Sequence, residues 1–455
     1  DDPQQIRDRA LMYMVDYFQG MSERYPVVIF LEDIHWADDS SLEIINRLVR
    51  RLKNQRLLFV CLARYRLFDR YPDWGEELPH HTQLELIPLS QVDSHELVLE
   101  ILKLAEQVPV ALRELIVRNA EGNPFYVEEL IKMLIEDGII ITVEESWGFK
   151  TNNLDEIKVP ATLTSVLQAR LESLPSVELK TLQQASVVGR TFWDRIVECI
   201  HASDSAEVDY EGVSNALSAL QNREMIYRQM ISVFDDAKEY LFKHAVLREV
   251  TYESVLLRLR RIYHGLVAEW LIEHSGDRAS EYSGLIANHL ELAGNDTQAA
   301  IYLYQAGAQA LRSFANVEAE SFFHRALKIT FSEEDRSKIL MELGEALYNQ
   351  SRYKEAIQVW QEGIGLFKEM GKLDGAARFY ARSSRAAVHA GDTPGGLAIC
   401  QEGIEVIHNA PQGPGVALLL HEAGRAYYFS GMPDEALPLC QQALQMAEIL
   451  GAVDV

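Results

Sequence analysis

Hydrophobic residues in the first 150 positions fall into short runs separated by stretches with helical spacing. The runs Val27–Leu31 and 57–62 are typical of buried strands. Between them, residues 41–53 place apolar side chains three or four positions apart, as an amphipathic helix does. A strand, a helix and a strand in this order form a βαβ unit, and such units build parallel sheets. A third run, 84–88, is a candidate for another strand.

Residues 160–260 follow a different pattern, in which short helices precede a hairpin. Apolar spacing predicts helices over 162–172, 176–188, 193–200 and 210–221. The apolar runs 225–228 and 240–242 then flank a polar turn around Asp235 and Asp236. Several helices followed by a β-hairpin predict a winged-helix module in this part of the chain.

From about residue 295 the chain repeats. Four units begin with a small residue and are separated by steps of 37, 40 and 40 residues: Gly307, Gly344, Ser384 and Gly424. Each unit has a small residue at +12 and +19 and a larger one at +16, so that paired helices approach closely and the larger residue fills the seam. This is the tetratricopeptide (TPR) pattern, with a longer period than the usual repeat of about 34 residues. Cys400 and Cys440 occupy the +16 position and are interpreted as packing residues.

Composition narrows the class of protein. The 455 residues allow about two to four domains, and 43 basic against 68 acidic residues give a net charge of −25. Such a surface repels phosphate backbones and anionic lipids, which disfavours direct nucleic-acid binding. The most basic stretch, Arg248 with Arg258, Arg260 and Arg261, is interpreted as a solvated helix face or a contact to the ATPase core, in preference to a DNA-binding site. Dispersed cysteines, and the lack of any apolar run long enough to cross a bilayer, predict a cytoplasmic protein without a membrane segment.

The strongest candidate for chemistry is the pair of acids after the first strand, Glu32 and Asp33. In P-loop ATPases, a carboxylate at the end of the strand beside the phosphate loop holds Mg²⁺ through its water shell, and a neighbouring carboxylate can orient the attacking water. The alternative is a strand that ends in solvent-exposed acids. Arg66 follows the second strand, and the carboxyl ends of parallel strands meet at one edge of the sheet, where an arginine can reach a γ-phosphate. This pairing favours the functional interpretation.

These residues resemble the STAND class of signalling ATPases, switch-type relatives of the AAA+ ATPases. Residues 31–38, LEDIHWAD, resemble the Walker B segment of the branch found in large LuxR-type regulators and in cyclase- or kinase-linked ATPases. Residues 63–66 look like its sensor 1 segment, and 122–130 match its Gly-x-Pro lid motif, in which Pro124 packs near adenine. Residues 242–253 resemble the segment after its winged-helix hairpin, where His244 is either a residue that contacts ADP phosphates or a packed structural histidine.

The resemblance implies a multidomain α/β plus α fold in a fixed order. We expect the C-terminal part of a P-loop ATPase core with a parallel sheet over 1–106, a helical lid over 107–158, a winged-helix-like domain over 159–275 and a TPR-like α-solenoid over 276–455. It also implies ATP, ADP and Mg²⁺ as ligands. Glu32 and Asp33 would divide the holding of Mg²⁺ and the polarising of water between them, and Arg66 would sense the γ-phosphate.

The same resemblance implies a regulatory switch. An inducer or partner protein would bind the TPR-like array, ADP would exchange for ATP, and the ATP state would self-associate and control an output domain outside this chain. The alternative is a protein-interaction scaffold whose ATPase core is degenerate. A DNA-binding winged-helix regulator is the weakest of the three interpretations, because of the net charge.

One feature of the family is missing from the sequence, the phosphate-binding loop G-x-x-x-x-G-K-[ST]. The single Gly-Lys pair is Gly371-Lys372, and its upstream glycine, Gly365, is one position too far away. The chain also starts at Asp1 without an initiating methionine. We therefore expect a fragment of a longer protein that, by itself, binds ATP weakly or not at all and has no ATPase activity.

Overall fold

The computed structural model describes residues 3–78, 80–105, 108–143, 146–149, 160, 162–204, 210–330, 332–408 and 412–451. Most of these residues are helical, and the strands form small sheets. The chain divides into two compact units. The first comprises Asp1–Thr82, Ser275–Glu291 and Asn295–Val455, and the second comprises Gln83–His274 and Leu292–Gly294. The four domain boundaries expected from the sequence remain predictions.

The first unit begins with a βαβ arrangement. Its elements are α1 (Pro3–Arg24), β1 (Val27–Leu31), α2 (Asp39–Arg51), β2 (Leu57–Cys61) and the short α3 (Arg66–Arg70). Strands β1 and β2 pair in parallel, with Val27 opposite Leu57 and Leu31 opposite Cys61. This confirms the predicted strand–helix–strand order. A two-stranded sheet alone does not establish a P-loop core, which remains a proposal.

The two strands are buried on one face. That face packs against α1 and α2, where Leu11, Leu48 and Leu52 form a small core with Leu57 and Phe59. On the other face Val28, Phe30 and Leu58 are exposed in the described chain. The two runs predicted as buried strands are therefore covered by helices on one face only in the described part of the chain.

The second unit contains helices and two further sheets. Its elements in chain order are α4 (Gln91–Ile101), α5 (Val110–Ala120), α6 (Pro124–Glu136), β3 (Ile140–Val143), β4 (Ser146–Phe149), α7 (Leu163–Glu172), α8 (Ser176–Val188), β5 (Thr191–Trp193), α9 (Asp194–Asp204), α10 (Tyr210–Asn222), β6 (Ile226–Arg228), β7 (Glu239–Phe242), α11 (Ala245–Ser254) and α12 (Leu257–His274). Strands β3 and β4 form a hairpin, and β5, β7 and β6 form an antiparallel sheet in that order.

Most sequence predictions for this unit are confirmed. The four predicted helices correspond to α7, α8, α9 and α10, and the predicted hairpin corresponds to β6 and β7. We refer to residues 162–274 as the hairpin module. The candidate strand at 84–88 was wrong: the segment has no regular structure and pairs with no strand. Leu84, Leu86 and Ile87 are exposed there, so burial of their side chains does not stabilise a strand at this segment.

The rest of the first unit is a TPR-like solenoid. Its helices are α13 (Ala279–Ala293), α14 (Asp296–Arg312), α15 (Asn316–Ile329), α16 (Glu333–Asn349), α17 (Tyr353–Glu369), α18 (Leu373–His389), α19 (Thr393–Val406), α20 (Pro414–Phe429) and α21 (Pro433–Leu450). From α14 onward they form four hairpins, α14–α15, α16–α17, α18–α19 and α20–α21, stacked around one continuous hydrophobic core.

The seam positions predicted from the repeat are confirmed. A Cβ atom on Gly344 would overlap the indole of Trp360, and one on Gly424 would overlap Sγ of Cys440. Ser384 Oγ donates to the carbonyl of Gly396 at 2.9 Å, which joins the two helices of the third hairpin. Burial raises the pKa of the Cys400 thiol to about 12, as expected for a packing residue.

Candidate functional site

The carboxyl ends of β1 and β2 are tied together by backbone hydrogen bonds. Leu62 N–H donates to the carbonyl of Leu31 at 2.8 Å, and Ile34 N–H donates to the carbonyl of Leu62 at 3.1 Å. Glu32 is exposed, and Asp33 is half-buried in the left-handed region with φ 55° and ψ 31°. The chain therefore turns sharply at Asp33 and leaves both acids at this edge of the sheet.

Arg66 lies at the same edge. It is the first residue of α3, and its guanidinium lies 5.5 Å above the ring of Trp36, which is 69% exposed. A cation over an exposed indole face is favourable by about 0.5–1 kcal/mol, so the contact orients the arginine without burying it. The structure thus brings Arg66 to the loop that follows the two acids, as the βαβ arrangement predicts.

His35 is the residue of this loop that the sequence analysis did not single out. Its side chain is buried, Nδ1 accepts from the backbone N–H of Arg64 at 3.4 Å, and Nε2 is buried without a hydrogen-bond partner among the described residues. Burial lowers the pKa of His35; the Asp33 charge opposes this shift, and the Arg64 and Arg66 charges add to it. A neutral His35 therefore joins the Walker B-like loop to the segment before Arg66.

The other acids of the LEDIHWAD segment and its neighbour have structural partners. Asp38 caps α2 by accepting from Ser41 N–H at 2.6 Å and from Ser41 Oγ at 2.8 Å. Asp39 forms an ion pair with Arg70 at 3.2 Å. These contacts hold the loop that follows Glu32 and Asp33 in place.

The lid motif of the second unit is shaped by its glycine. Gly122 has φ 79°, its carbonyl accepts from Leu89 N–H at 2.8 Å, and a Cβ atom there would overlap the Leu89 carbonyl oxygen. Asn123 then caps α6 by accepting from Phe125 N–H at 3.0 Å. Pro124 occupies the first turn of α6 and is exposed. The turn thus presents Pro124 at the amino end of a buried helix.

His244 lies next to this turn. Its ring centroid is 3.9 Å from that of Phe125, the residue that follows Pro124. His244 Nε2 is buried and has no hydrogen-bond partner among the described residues. Burial lowers the pKa of His244; the charge of Glu129 opposes this shift, and that of Lys243 adds to it. Phe125 contacts His244 and directly follows Pro124, so the structure brings these two predicted residues close together. Phe125 itself lies within the lid motif, and the sequence predicted no role for it.

A network of ion pairs fastens the lid helix α6 to the hairpin module. Lys243 bridges Glu128 and Glu224, each at 2.9 Å, and Lys132 contacts the same two acids at 2.7 and 3.0 Å. These lysine hydrogen bonds lower the pKa of Glu224 to about 2. Four charged residues thus link the lid helix with the turn before β6 and the end of β7.

A buried ion pair completes the network. Arg170 on α7 is 2% exposed and donates to Glu129, which is equally buried, and its Nη2 donates to Glu136 at 2.9 Å. Because the charges are buried together, loss of any one member leaves another without compensation. Buried and half-buried ion pairs therefore join the lid helix to the hairpin module.

Two arginines of the basic stretch, Arg248 and Arg260, form contacts within the hairpin module. The guanidinium groups of Arg248 and Arg260 lie 4.6 and 4.5 Å from the Tyr252 ring centroid. Arg248 also donates to the Ser186 carbonyl at 2.7 Å, and Arg260 donates to the Val255 carbonyl at 2.8 Å. These contacts favour the intramolecular interpretation over DNA binding.

The described residues contain no group of three or more His, Cys, Asp or Glu side chains able to hold a metal ion. Magnesium keeps much of its water shell and needs only one or two protein carboxylates beside phosphate oxygens. The donor set of Glu32 and Asp33 fits that requirement. In the described part of the chain, no helix combines the length and apolarity that a bilayer crossing needs.

Comparisons with known proteins give distant similarities. No family model matches the chain. An uncharacterized protein of Rhizobium meliloti (strain 1021) is 25% identical over 346 residues, which are 75% of this chain and 32% of that protein. The chain therefore spans about a third of the length of this curated relative.

Two solved structures illustrate the structural similarities. One is a Signal Transduction ATPase with Numerous Domains (STAND) protein with a tetratricopeptide repeat sensor from Pyrococcus horikoshii. It is 15% identical, with a TM-score of 0.39 over 97% of this chain and 65% of that chain. The other is YrrB, a TPR protein with an unusual peptide-binding site, which is 21% identical with a TM-score of 0.29 over 41% of this chain and 86% of that chain. At these TM-scores the description of the array as TPR-like rests on its own packing.

Proposed function

We propose that this chain is an ATP/ADP-dependent regulatory switch module of a signal-transduction ATPase, whose TPR-like array senses an inducer or partner. The observation that carries the proposal is the arrangement of residues at the carboxyl ends of β1 and β2. There, parallel pairing places Glu32 and Asp33 beside the segment that leads to Arg66. Ligands bind at the carboxyl ends of strands in parallel sheets. An acid pair and an exposed arginine at that edge suit a magnesium-bound polyphosphate.

The residues take separate roles in this proposal. Glu32 and Asp33 hold the water shell of Mg²⁺ and orient the attacking water, in either division of labour. Mg²⁺ would supply charge neutralisation for the phosphates. Arg66 can extend from the sheet edge towards the terminal phosphate, since its only described side-chain contact is the exposed Trp36 ring.

The second unit supplies the nucleotide-dependent part of the switch. Pro124 is exposed and suited to pack on adenine. Nε2 of His244 has no hydrogen-bond partner among the described residues, and in the tautomer that carries the proton on Nε2 it can donate to a phosphate oxygen of ADP. Because ion pairs join α6 to the hairpin module, a contact made by Pro124 or His244 moves both together. In the proposed cycle, partner binding to the array permits exchange of ADP for ATP. The ATP state then self-associates and controls an output domain outside this chain.

A phosphate-binding loop decides between this switch and a scaffold. Reading about 150 codons upstream of Asp1 shows whether the coding sequence contains G-x-x-x-x-G-K-[ST] after an apolar strand. In a protein that carries the loop, replacing Glu32 and Asp33 together by alanine should abolish ATP turnover. The matched control replaces Glu76 and Glu77, a pair of adjacent exposed acids in the same unit, and should leave turnover unchanged. Turnover that survives the first replacement would show that the site assignment is wrong.

The second candidate function is a protein-interaction scaffold with a degenerate, non-hydrolysing ATPase core. The observation that favours it is the sequence itself, which contains no phosphate-binding loop within these 455 residues. TPR-like arrays bind peptides and helices without any nucleotide. A coding sequence that lacks the loop, or whose loop lacks its lysine, would establish this alternative.

A further inference from the structure

Helix α18 of the array carries basic side chains along one face. Arg378, Arg382, Arg385 and His389 recur at spacings of four, three and four residues, so they lie in one row of the helix. The first helices of successive hairpins lie side by side: Arg382 of α18 contacts Glu345 of α16 at 2.9 Å. On the other side α18 packs against α20, which carries Arg425. We call Arg378, Arg382, Arg385 and Arg425 the arginine face.

The arginine face has hydrogen-bond donors to spare. A guanidinium has five N–H donors, so the contacts of Arg382 Nε and Arg425 Nη1 with acids, and the hydrogen bond of Arg385 to Tyr348, leave other donors on these side chains. Arg378 is exposed, and no ion pair is formed by it among the described residues. Arg385 lies 5.9 Å above the Tyr348 ring centroid, and its Nε is buried without a hydrogen-bond partner in the described part of the chain.

The acids of the same surface cancel part of this charge. Glu422 pairs with Arg425, which donates to both of its carboxylate oxygens at 2.9 Å, and Glu345 pairs with Arg382 at 2.9 Å. Burial raises the pKa of Glu342, so this acid holds its negative charge less firmly than an exposed glutamate. Arg378 and Arg385 form no ion pair within 4 Å among the described residues, and they can meet an acidic ligand on a chain whose net charge is −25.

Aromatic side chains border the arginine face. The Tyr348 hydroxyl is 2.5 Å from Nδ1 of His389, and the two rings stack. At the end of α20, Tyr428 and Phe429 are more than half exposed, and Arg425 lies 6.0 Å from the Phe429 ring centroid. Planar cations beside exposed rings suit a ligand that offers carboxylates next to apolar side chains.

We propose that the arginine face binds an acidic segment of a partner protein. The inference rests on the proposed role of the array as the sensor and names the chemistry of what it senses. Carboxylates match the forked donors of arginine, and stacked helical repeats bind extended or helical peptides along their surfaces. The overall negative charge disfavours nucleic acid, the other polyanion that arginines bind.

The test measures binding of a fluorescein-labelled octaglutamate peptide to the full 455-residue chain by fluorescence anisotropy. Arg382→Gln/Arg385→Gln should weaken binding at least tenfold and reduce its dependence on salt. The matched control is Lys354→Gln/Lys368→Gln, which removes two exposed charges from α17 and should change affinity less than twofold. Arg382→Lys/Arg385→Lys keeps the charge without the fork and should be intermediate. Circular dichroism of each variant checks that the array remains folded.

Three results would overturn the inference: no measurable binding of octaglutamate, an equal loss in both glutamine variants, or tighter binding of a single-stranded DNA octamer than of octaglutamate. The measurement contains no nucleotide. Failure of the proposed ATP switch would therefore leave peptide binding intact, and failure here would leave the Glu32/Asp33 test unaffected.

Discussion

At the scale of single residues, backbone conformation identifies the positions that cannot be changed. Gly122 combines a positive φ with close contact to the Leu89 backbone, so the lid turn depends on the absence of a side chain. The Gly-Asn-Pro sequence was enough to predict a turn before a helix. It did not reveal that the turn docks against Leu89, more than 30 positions earlier in the chain, because such a contact leaves no local pattern.

Replacing Gly122 with alanine should therefore destabilise the second unit by about 2–4 kcal/mol, from the left-handed backbone and the overlap together. Hydrogen-exchange mass spectrometry of α4, α5 and α6 would report the loss as faster exchange. Gly148→Ala is the control, because a Cβ atom there meets nothing within 4 Å. Equal exchange in the two variants would contradict the close approach.

His264 gives the second unit a predictable response to acid. Burial, together with the charges of Arg248 and Arg260, lowers the pKa of His264 to about 4. Between pH 6.5 and 4 the unfolded chain binds a proton that the folded chain does not, so the free energy of unfolding falls as pH falls. Between pH 7.5 and 4.5 this amounts to about 2–3 kcal/mol.

The comparison that isolates this effect is with His264→Gln, whose amide can still accept from the Tyr252 hydroxyl that lies 2.9 Å from Nε2 of His264. Exchange of amides in α11 and α12 at the two pH values should accelerate more in the original chain than in the variant. A variant with the same pH dependence would show that His264 is protonated in the folded state.

At the scale of elements, the sequence predicted those helices whose buried faces follow a regular spacing of apolar residues. The helices of the hairpin module and the four hairpins of the array have apolar faces that recur regularly, and their sequences show it. The β3–β4 hairpin was missed, and the segment 84–88 was taken for a strand. A short apolar run is ambiguous because pairing partners, which the run itself does not specify, decide whether it becomes a strand.

The buried ion pair between α6 and α7 should contribute more to the free energy of unfolding than exposed ion pairs do. Arg170→Met leaves Glu129 buried without its partner, and we expect a loss of about 3–5 kcal/mol in the stability of the second unit. Arg170→Met/Glu129→Leu removes both charges and should recover part of it. Lys103→Met breaks an exposed pair with Glu100 and should destabilise the unit far less than Arg170→Met, because solvent screens exposed charges. Chemical denaturation ranks the stabilities of the three variants. A loss of stability in Arg170→Met no greater than that in Lys103→Met would contradict a stabilising role of the buried pair between α6 and α7.

At the scale of the whole molecule, the candidate site was only partly predictable. Glu32, Asp33 and Arg66 could be placed at one edge because parallel strands fix that geometry. The buried His35 contacts Arg64, 29 positions away, and the Phe125 ring contacts that of His244, 119 positions away. No short-range pattern encodes such contacts. The network that joins the lid to the hairpin module likewise depends on tertiary packing.

The affinity of the chain for ATP tests whether the proposed nucleotide site can bind without a phosphate-binding loop. Most binding energy for a triphosphate comes from backbone N–H groups and a lysine of the phosphate-binding loop, which this sequence lacks. Glu32, Asp33 and Arg66 can contact Mg²⁺ and the terminal phosphate but cannot replace that cradle. We therefore expect isothermal titration calorimetry of the 455-residue chain with Mg-ATP to give a Kd weaker than about 1 mM, or less than about 4 kcal/mol of binding free energy.

The same titration with the Glu32→Ala/Asp33→Ala variant shows whether any residual binding uses the strand edge, in which case the variant should lose it. Micromolar affinity in the original chain would mean that other residues hold the phosphates. The donors to examine first would then be those of the second unit, where His244 Nε2 is unpartnered among the described residues.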